Sequence, residues 1–330
     1  MNYNQSAQIL ATIKRANNIL VNCHRHPDPD SIGSALALKH ILQGYGKRVR
    51  VVCPTLLDKS VSFLKGYDDI EVVDLSKFIF SKFDVFITLD SAAWEQVLRD
   101  NIEVPKILSV NIDHHKTNTN YGNINLVDSK MTSTAEILYK IFYDWEANID
   151  ANVANCLLTG IMGDTGALRY PRVSADTFVS ASNLIVKGAD KDFIIQKLYA
   201  SVDLKELKFW GEILLRSQVD KQGNFFWSAI SNDIYSSYGF GEDGLETSPS
   251  SMFAQIVAGT DFGFIALETK PKVVKISIRS RTGFDTTKIA LELNGGGHVY
   301  ASGGKIEGLS FKKAIEKVIK IARKHAKDAI

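Results

Sequence analysis

Four short clusters of acidic and imidazole residues, each directly after an apolar run, could carry chemistry in this 330-residue chain. They are His24-Arg25-His26-Pro27-Asp28-Pro29-Asp30, Asp90, Asp113-His114-His115 and Asp164. None contains a thiolate, and imidazole with carboxylate is a donor set for manganese, iron, zinc or cobalt. Carboxylates gathered at one point repel or lose their charges unless a cation sits between them. Asp28 and Asp30 stand two apart on a loop stiffened by Pro27 and Pro29, so each can address a different cation. Asp90, a lone carboxylate in Leu89-Asp90-Ser91, is the natural bridge. Two cations about 3.5–4 Å apart that share a carboxylate can activate a water and offset charge on phosphoryl oxygens. One aspartate at a strand end is ordinarily a turn or a cap. Recurrence at four element ends is what points to metal-assisted hydrolysis of phosphate esters.

The elements that must position these groups alternate strand with helix. Apolar runs at 19–21, 49–53, 84–89 and 106–112 read as buried strands, three of them leading into a cluster. Residues 31–42, 134–145, 152–162 and 175–186 read as helices, the third ending at Gly163-Asp164. This rhythm predicts a mostly parallel sheet flanked by helices, with ligand groups collected beyond the strand C-termini. After Lys187-Gly188 the pattern changes to a polar connector. Strands near 225–230, 262–268 and 273–279 and a basic terminal helix follow. The expected fold class is therefore α/β in two domains. Residues 1–187 are expected to form the domain that carries the four clusters, 188–207 a helical linker and 208–330 a smaller α/β domain.

Hydrophobic content of 45%, charged content of 23% and a net charge of +2 describe an ordinary globular chain. Such a charge gives no general coat for nucleic acid or membrane, so an anionic substrate must be caught locally. The three cysteines, Cys23, Cys53 and Cys156, show no paired spacing. Cys23 adjoins His24 on a strand and should face away from it. No apolar segment is long enough for a membrane span, and a cytoplasmic protein is expected.

The ordered set His24-x-x-Pro27-Asp28-x-Asp30-x-x-Gly33-Ser34, Asp90, Asp113-His114-His115 and Gly163-Asp164-Thr165-Gly166 resembles the DHH phosphoesterase family. Ile278-Arg279-Ser280 and Asn294-Gly295-Gly296-Gly297-His298 are similar to the DHH-associated domain with its GGGH motif. The two-domain layout looks most like the NrnA-type branch, which implies that the first domain is catalytic and metal-binding and the second substrate-binding. The resemblance implies that His24, Asp28 and Asp90 hold one manganese ion, and that Asp30, Asp90, His114 and Asp164 hold another. It implies that His115 contacts the scissile phosphate. Asp113 is expected to orient one of the two histidines, as ligand imidazoles require, and His26 to serve the loop.

For the second domain, Arg279 offers a guanidinium fork suited to phosphate. Ser280, the Gly295-Gly296-Gly297 run and His298 complete the expected clamp, and Arg169 could add a phosphate contact near Asp164. The expected activity is a dinuclear-manganese phosphodiesterase and phosphatase acting on short single-stranded RNA or DNA oligonucleotides and on pAp. Its partners are these small nucleotides; no membrane and no stable protein partner is expected. Two other readings are a soluble phosphodiesterase for linear or cyclic dinucleotides, and a non-catalytic nucleotide- or RNA-binding module on the same scaffold.

Overall fold

The computed structural model describes residues 3–98, 103–240, 250 and 253–327. The chain divides into two compact units, residues 1–201 and 202–330.

The first unit is built on β1 (Asn18–Asn22), β2 (Arg48–Cys53), β3 (Glu71–Val72), β4 (Val85–Leu89), β5 (Leu108–Asp113) and β6 (Ile124–Val127). They form one parallel sheet in the order β3-β2-β1-β4-β5-β6. Buried on both faces, its central strands read as continuous apolar runs, as parallel strands do. Ile19, Val21, Cys23, Ile87, Leu89, Val110 and Ile112 face one core, against α1 (Asn4–Arg15), α2 (Pro29–Gly44), α4 (Thr134–Asp144) and α5 (Ala151–Thr165). Leu20, Val52 and Phe86 face a thinner layer with Phe78, Phe80 and Trp94, the last at the start of the short helix α3 (Trp94–Val97). Cys23 is fully buried in the helix-covered core. The strand order reverses between β1 and β4, and the crevice beyond such a switch is where open α/β sheets bind ligands. His24 follows β1 and Asp90 follows β4.

Two helix ends differ from expectation, each through its cap. Helix α2 starts at Pro29 rather than Ser31, because the Asp28 side chain accepts the amides of Asp30 and Ser31 and Pro29 suits the first turn. Helix α5 runs through Asp164 to Thr165, since the left-handed residue that closes it is Gly166 (φ 57°) and not Gly163. Asp164 thus projects from the last turn.

Helices α2 and α5 cross on glycine. A Cβ at Gly33 would lie 2.4 Å from the Cys156 carbonyl oxygen, and one at Gly160 would lie 2.7 Å from both the Ala135 Cβ and an Asp30 carboxylate oxygen. The crossing therefore sets the depth at which Asp30 enters the site.

Helix α6 (Ala175–Val186) completes the first unit's expected helices. Residues 188–207, expected as a linker, are shared out: α7 (Lys191–Tyr199) places Ile194 in the first unit's core, and α8 (Leu204–Leu215) opens the second unit. The second unit holds β7 (Gln218–Asp220), β8 (Phe225–Ile230), α9 (Asn232–Ser237), β9 (Phe262–Lys270), β10 (Val273–Ser280), α10 (Thr287–Glu292), β11 (Gly296–His298), β12 (Ala301–Glu307) and α11 (Phe311–Lys327). Its sheet runs β11-β12-β10-β9-β8-β7, antiparallel except at β8/β9. One core lies against α10 and α11, and another gathers Phe209, Trp210 and Ile213 of α8. No helix among the described residues is long and apolar enough to cross a membrane.

Candidate metal centre

The site begins at the end of β1. His24 donates its Nδ1 hydrogen to the Arg25 carbonyl oxygen at 2.8 Å. In the neutral ring that bond leaves the lone pair on Nε2, which faces Asp28 Oδ1 at 3.7 Å and Asp90 Oδ2 at 3.4 Å. His26 is exposed and left-handed (φ 54°), with its amide held by the Thr55 hydroxyl at 2.7 Å. It shapes the loop, as expected, and belongs to none of the ligand groups.

Asp90 is buried and also left-handed (φ 54°), a conformation uncommon outside glycine. Its amide still bonds Ile112, so the backbone turns sharply off the sheet and drives the carboxylate into the crevice. Its two oxygens are divided. Oδ2 faces His24, while Oδ1 lies 3.4 Å from His114 Nε2 and accepts the Thr134 hydroxyl at 3.1 Å.

Asp30, fully buried in the first turn of α2, takes the amides of Thr134 and Ala135 at the start of α4 on its oxygens at 2.7 and 2.9 Å. Asp164 Oδ2 lies 3.2 Å from His114 Nε2 at the C-terminal end of α5, where the helix dipole favours a cation. Asp113 ends β5 and holds both histidines: one oxygen accepts the His114 amide at 2.8 Å and the His115 Nδ1 hydrogen at 2.7 Å. Its other oxygen accepts from Asn118 at 2.6 Å.

Three sets of ligand atoms each fall within 4.8 Å: His24/Asp28/Asp90, Asp30/His114/Asp164 and Asp90/Asp113/His114/His115. All six residues expected as ligands are thus gathered at the sheet's switch point, with Asp90 between two sets.

The electrostatics favour a cation among these groups. Burial, with Asp90 and Asp164 adding to it, pushes the Asp30 carboxyl well above its ordinary range. Asp164 is raised as well, chiefly by burial. At Asp90 burial has the same sense, but His114 and His24 outweigh it and hold the group well below. His24 resists losing its proton, because Asp28 and Asp90 together overcome the burial that opposes its charge. His114 Nε2 is buried and makes no hydrogen bond, despite the two carboxylate oxygens beside it. A lone polar atom so placed, with hard oxygen and imidazole donors around it, fits divalent cations of the manganese type.

Sequence reasoning missed Thr134, Arg172, Asn118 and Tyr121. Arg172 Nη2 donates to the Thr132 carbonyl at 3.0 Å and lies 3.4 Å from His114 Nδ1. Asn118 and Tyr121 join Asp113 to Asn111 and Thr88 on the sheet. Arg169, expected as a phosphate contact, donates Nε to the Gly166 carbonyl at 2.6 Å and lies over Tyr199.

In the second unit Arg279 ends β10, with Nη1 on its neighbour's carbonyl at 3.0 Å. The Ser280 hydroxyl accepts the Gly283 amide at 3.0 Å. Gly296, Gly297 and His298 form β11 beside β12. The crowding at Gly295 and Gly297 is against Gly303 and Ser302 of that strand, so the glycines let two backbones approach.

A parallel sheet whose switch point holds carboxylates and imidazoles, followed along the chain by a second α/β unit, defines a metal-dependent phosphoesterase. The DHH family N-terminal domain matches residues 18–161 and the DHHA1 domain matches 249–327. The chain is 27% identical over 327 residues to the bifunctional oligoribonuclease and PAP phosphatase NrnA of Thermus thermophilus, covering 97% of this chain and 94% of that one. It is 26% identical over 316 residues to a probable enzyme of the same name from Streptococcus mutans, covering 94% and 97%. The crystal structure of an exopolyphosphatase-related protein from Bacteroides fragilis superposes with a TM-score of 0.86 at 26% identity, covering 98% and 96%. The chain belongs to the DHH family, in its NrnA-type branch.

Proposed function

We propose that this phosphoesterase hydrolyses short single-stranded oligonucleotides and pAp, using two divalent cations, with manganese the favoured metal. The division of the Asp90 carboxylate between His24 and His114 carries the two-cation reading. His24, Asp28 and Asp90 would hold one ion, and Asp30, Asp90, His114 and Asp164 the other. Bound there, the pair would lower the pKa of a shared water and offset charge on the phosphoryl oxygens. His115, held at Nδ1 by Asp113, turns Nε2 toward the substrate's phosphate. Arg279, Ser280, the Gly295–Gly297 run and His298 supply the nucleotide clamp. The NrnA relatives support the substrate class, because their names give oligoribonuclease and PAP phosphatase activities.

Purified protein with manganese should be assayed against pAp, phosphorylated RNA dimers and longer oligomers, linear and cyclic dinucleotides, and pyrophosphate. The reading requires the highest kcat/KM on pAp or on the shortest RNAs. A preference for cyclic or linear dinucleotides over both would replace it with the dinucleotide phosphodiesterase. Manganese binding with no turnover of any ester would favour the binding module.

A further inference from the structure

The two imidazoles that face Asp90 are held in opposite senses at their far nitrogens. His24 Nδ1 meets a carbonyl oxygen, which can only accept, so in the neutral ring this nitrogen carries the hydrogen and Nε2 keeps its lone pair. His114 Nδ1 meets Nη2 of Arg172 at 3.4 Å, and a guanidinium can only donate. Nδ1 of His114 is therefore the accepting nitrogen. In the neutral ring its hydrogen then sits on Nε2, the nitrogen turned to Asp90 and Asp164. A metal-bound imidazole ordinarily donates its outer N–H to a carbonyl or carboxylate. At His114 a donor stands in that place, itself anchored to the Thr132 carbonyl at 3.0 Å.

We propose that Arg172 is a positioning residue that weakens cation binding on the His114 side, so that the two cation sites load in sequence. The His24/Asp28/Asp90 set is ready for a cation. The Asp30/His114/Asp164 set must first have the guanidinium displaced from the His114 ring. Two effects act in the same direction: the donor at Nδ1 withholds the Nε2 lone pair, and a fixed positive charge stands beside a cation site. Turnover would then follow metal concentration through the weaker site. The inference rests on the two-cation reading.

Manganese titration of the full-length protein tests it, by calorimetry and by the electron paramagnetic resonance signal that separates single from coupled manganese ions. Wild-type protein should show two unequal constants, with the coupled signal growing only in the second step. Arg172→Met removes donor and charge and should tighten the weaker constant about tenfold, the scale on which a ligand histidine's partner acts. Arg172→Gln supplies an acceptor for Nδ1–H and should tighten it further, whereas Arg172→Lys, still a charged donor, should stay near wild type. The tighter constant should not move in any variant. Equal wild-type constants, or Met and Gln variants that leave the weaker constant unchanged or loosen it, would overturn the inference. Wild-type protein that binds fewer than two manganese ions overturns the two-cation reading itself, and is told apart because no variant is needed to see it.

Discussion

Asp113 accepts the Nδ1 hydrogen of His115 at 2.7 Å, and the same carboxylate oxygen takes the His114 backbone amide. One buried group at the end of β5 thus orients the second histidine and fixes the chain direction at the first. The other oxygen is tied through Asn118 to Asn111 and the Ser91 carbonyl, so the anchor is rigid.

Asp113→Asn keeps the shape and removes the charge, and its amide can present a donor to His115 Nδ1. The substitution should lower kcat about 10–100-fold, the usual scale for a partner of a functional histidine. KM and manganese stoichiometry should stay close to wild type. Loss of both manganese ions in this variant, measured by elemental analysis, would show that Asp113 is itself a ligand.

Asp90→Asn tests the bridge. Both ligand sets lose a charged oxygen at once, so manganese content should fall at both sites together. Turnover should drop by at least about 10³-fold, equivalent to about 4 kcal/mol of barrier. Activity within about tenfold of wild type, at saturating manganese, would exclude a shared carboxylate.

Close packing of α2 on α5 should be equally testable. Gly33→Ala drives a Cβ against a backbone carbonyl at 2.4 Å, and Gly160→Ala drives one against Ala135 and Asp30 at 2.7 Å. Each should cost about 1–3 kcal/mol in thermal unfolding, the range for overpacking. Gly160→Ala should also weaken manganese binding, because the Asp30 carboxylate must move. Gly211→Ala in α8 meets nothing within 4 Å and serves as the control, neutral or stabilising by up to about 1 kcal/mol.

The candidate ligand residues were legible because each lies just beyond an apolar strand or ends a helix, and strand C-termini in a parallel sheet converge by topology. What could not be read was contact made across the chain. Thr134 serves Asp30 from 104 residues away, and Arg172 reaches His114 across 58. No local spacing marks either residue. Strands β6 and β12 were missed for a related reason. The first is a four-residue edge strand, and the second runs through Ser302-Gly303-Gly304, a stretch with little strand propensity whose glycines are fixed by contacts at Ile276 and Leu293. Helix caps moved two boundaries: Asp28 was legible as a candidate ligand, while its role as the N-cap of α2 was not.

A last expectation concerns pH and the second unit. Arg323 on α11 donates Nε and Nη2 to one oxygen of Asp220 at 2.8 and 2.6 Å, joining the terminal helix to β7. The other oxygen accepts the amides of Gln222 and Gly223 at 3.1 and 2.8 Å. Burial alone would raise the Asp220 carboxyl, but Arg323 and these amides outweigh it and hold it below its ordinary value. A carboxyl depressed in the folded state contributes stability that is fully present above its unfolded pKa of about 3.9. The contribution is lost as pH falls through the folded value. Wild-type Tm should therefore drop faster than that of Asp220→Asn as pH is lowered below about 4, with the difference between them constant from about pH 5 upward. Arg323→Met should lower stability at neutral pH by about 1–3 kcal/mol, the cost of leaving a buried hydrogen-bonding group short of a partner. Parallel Tm curves for wild type and Asp220→Asn across the acid range would show that the pair does not couple α11 to the sheet.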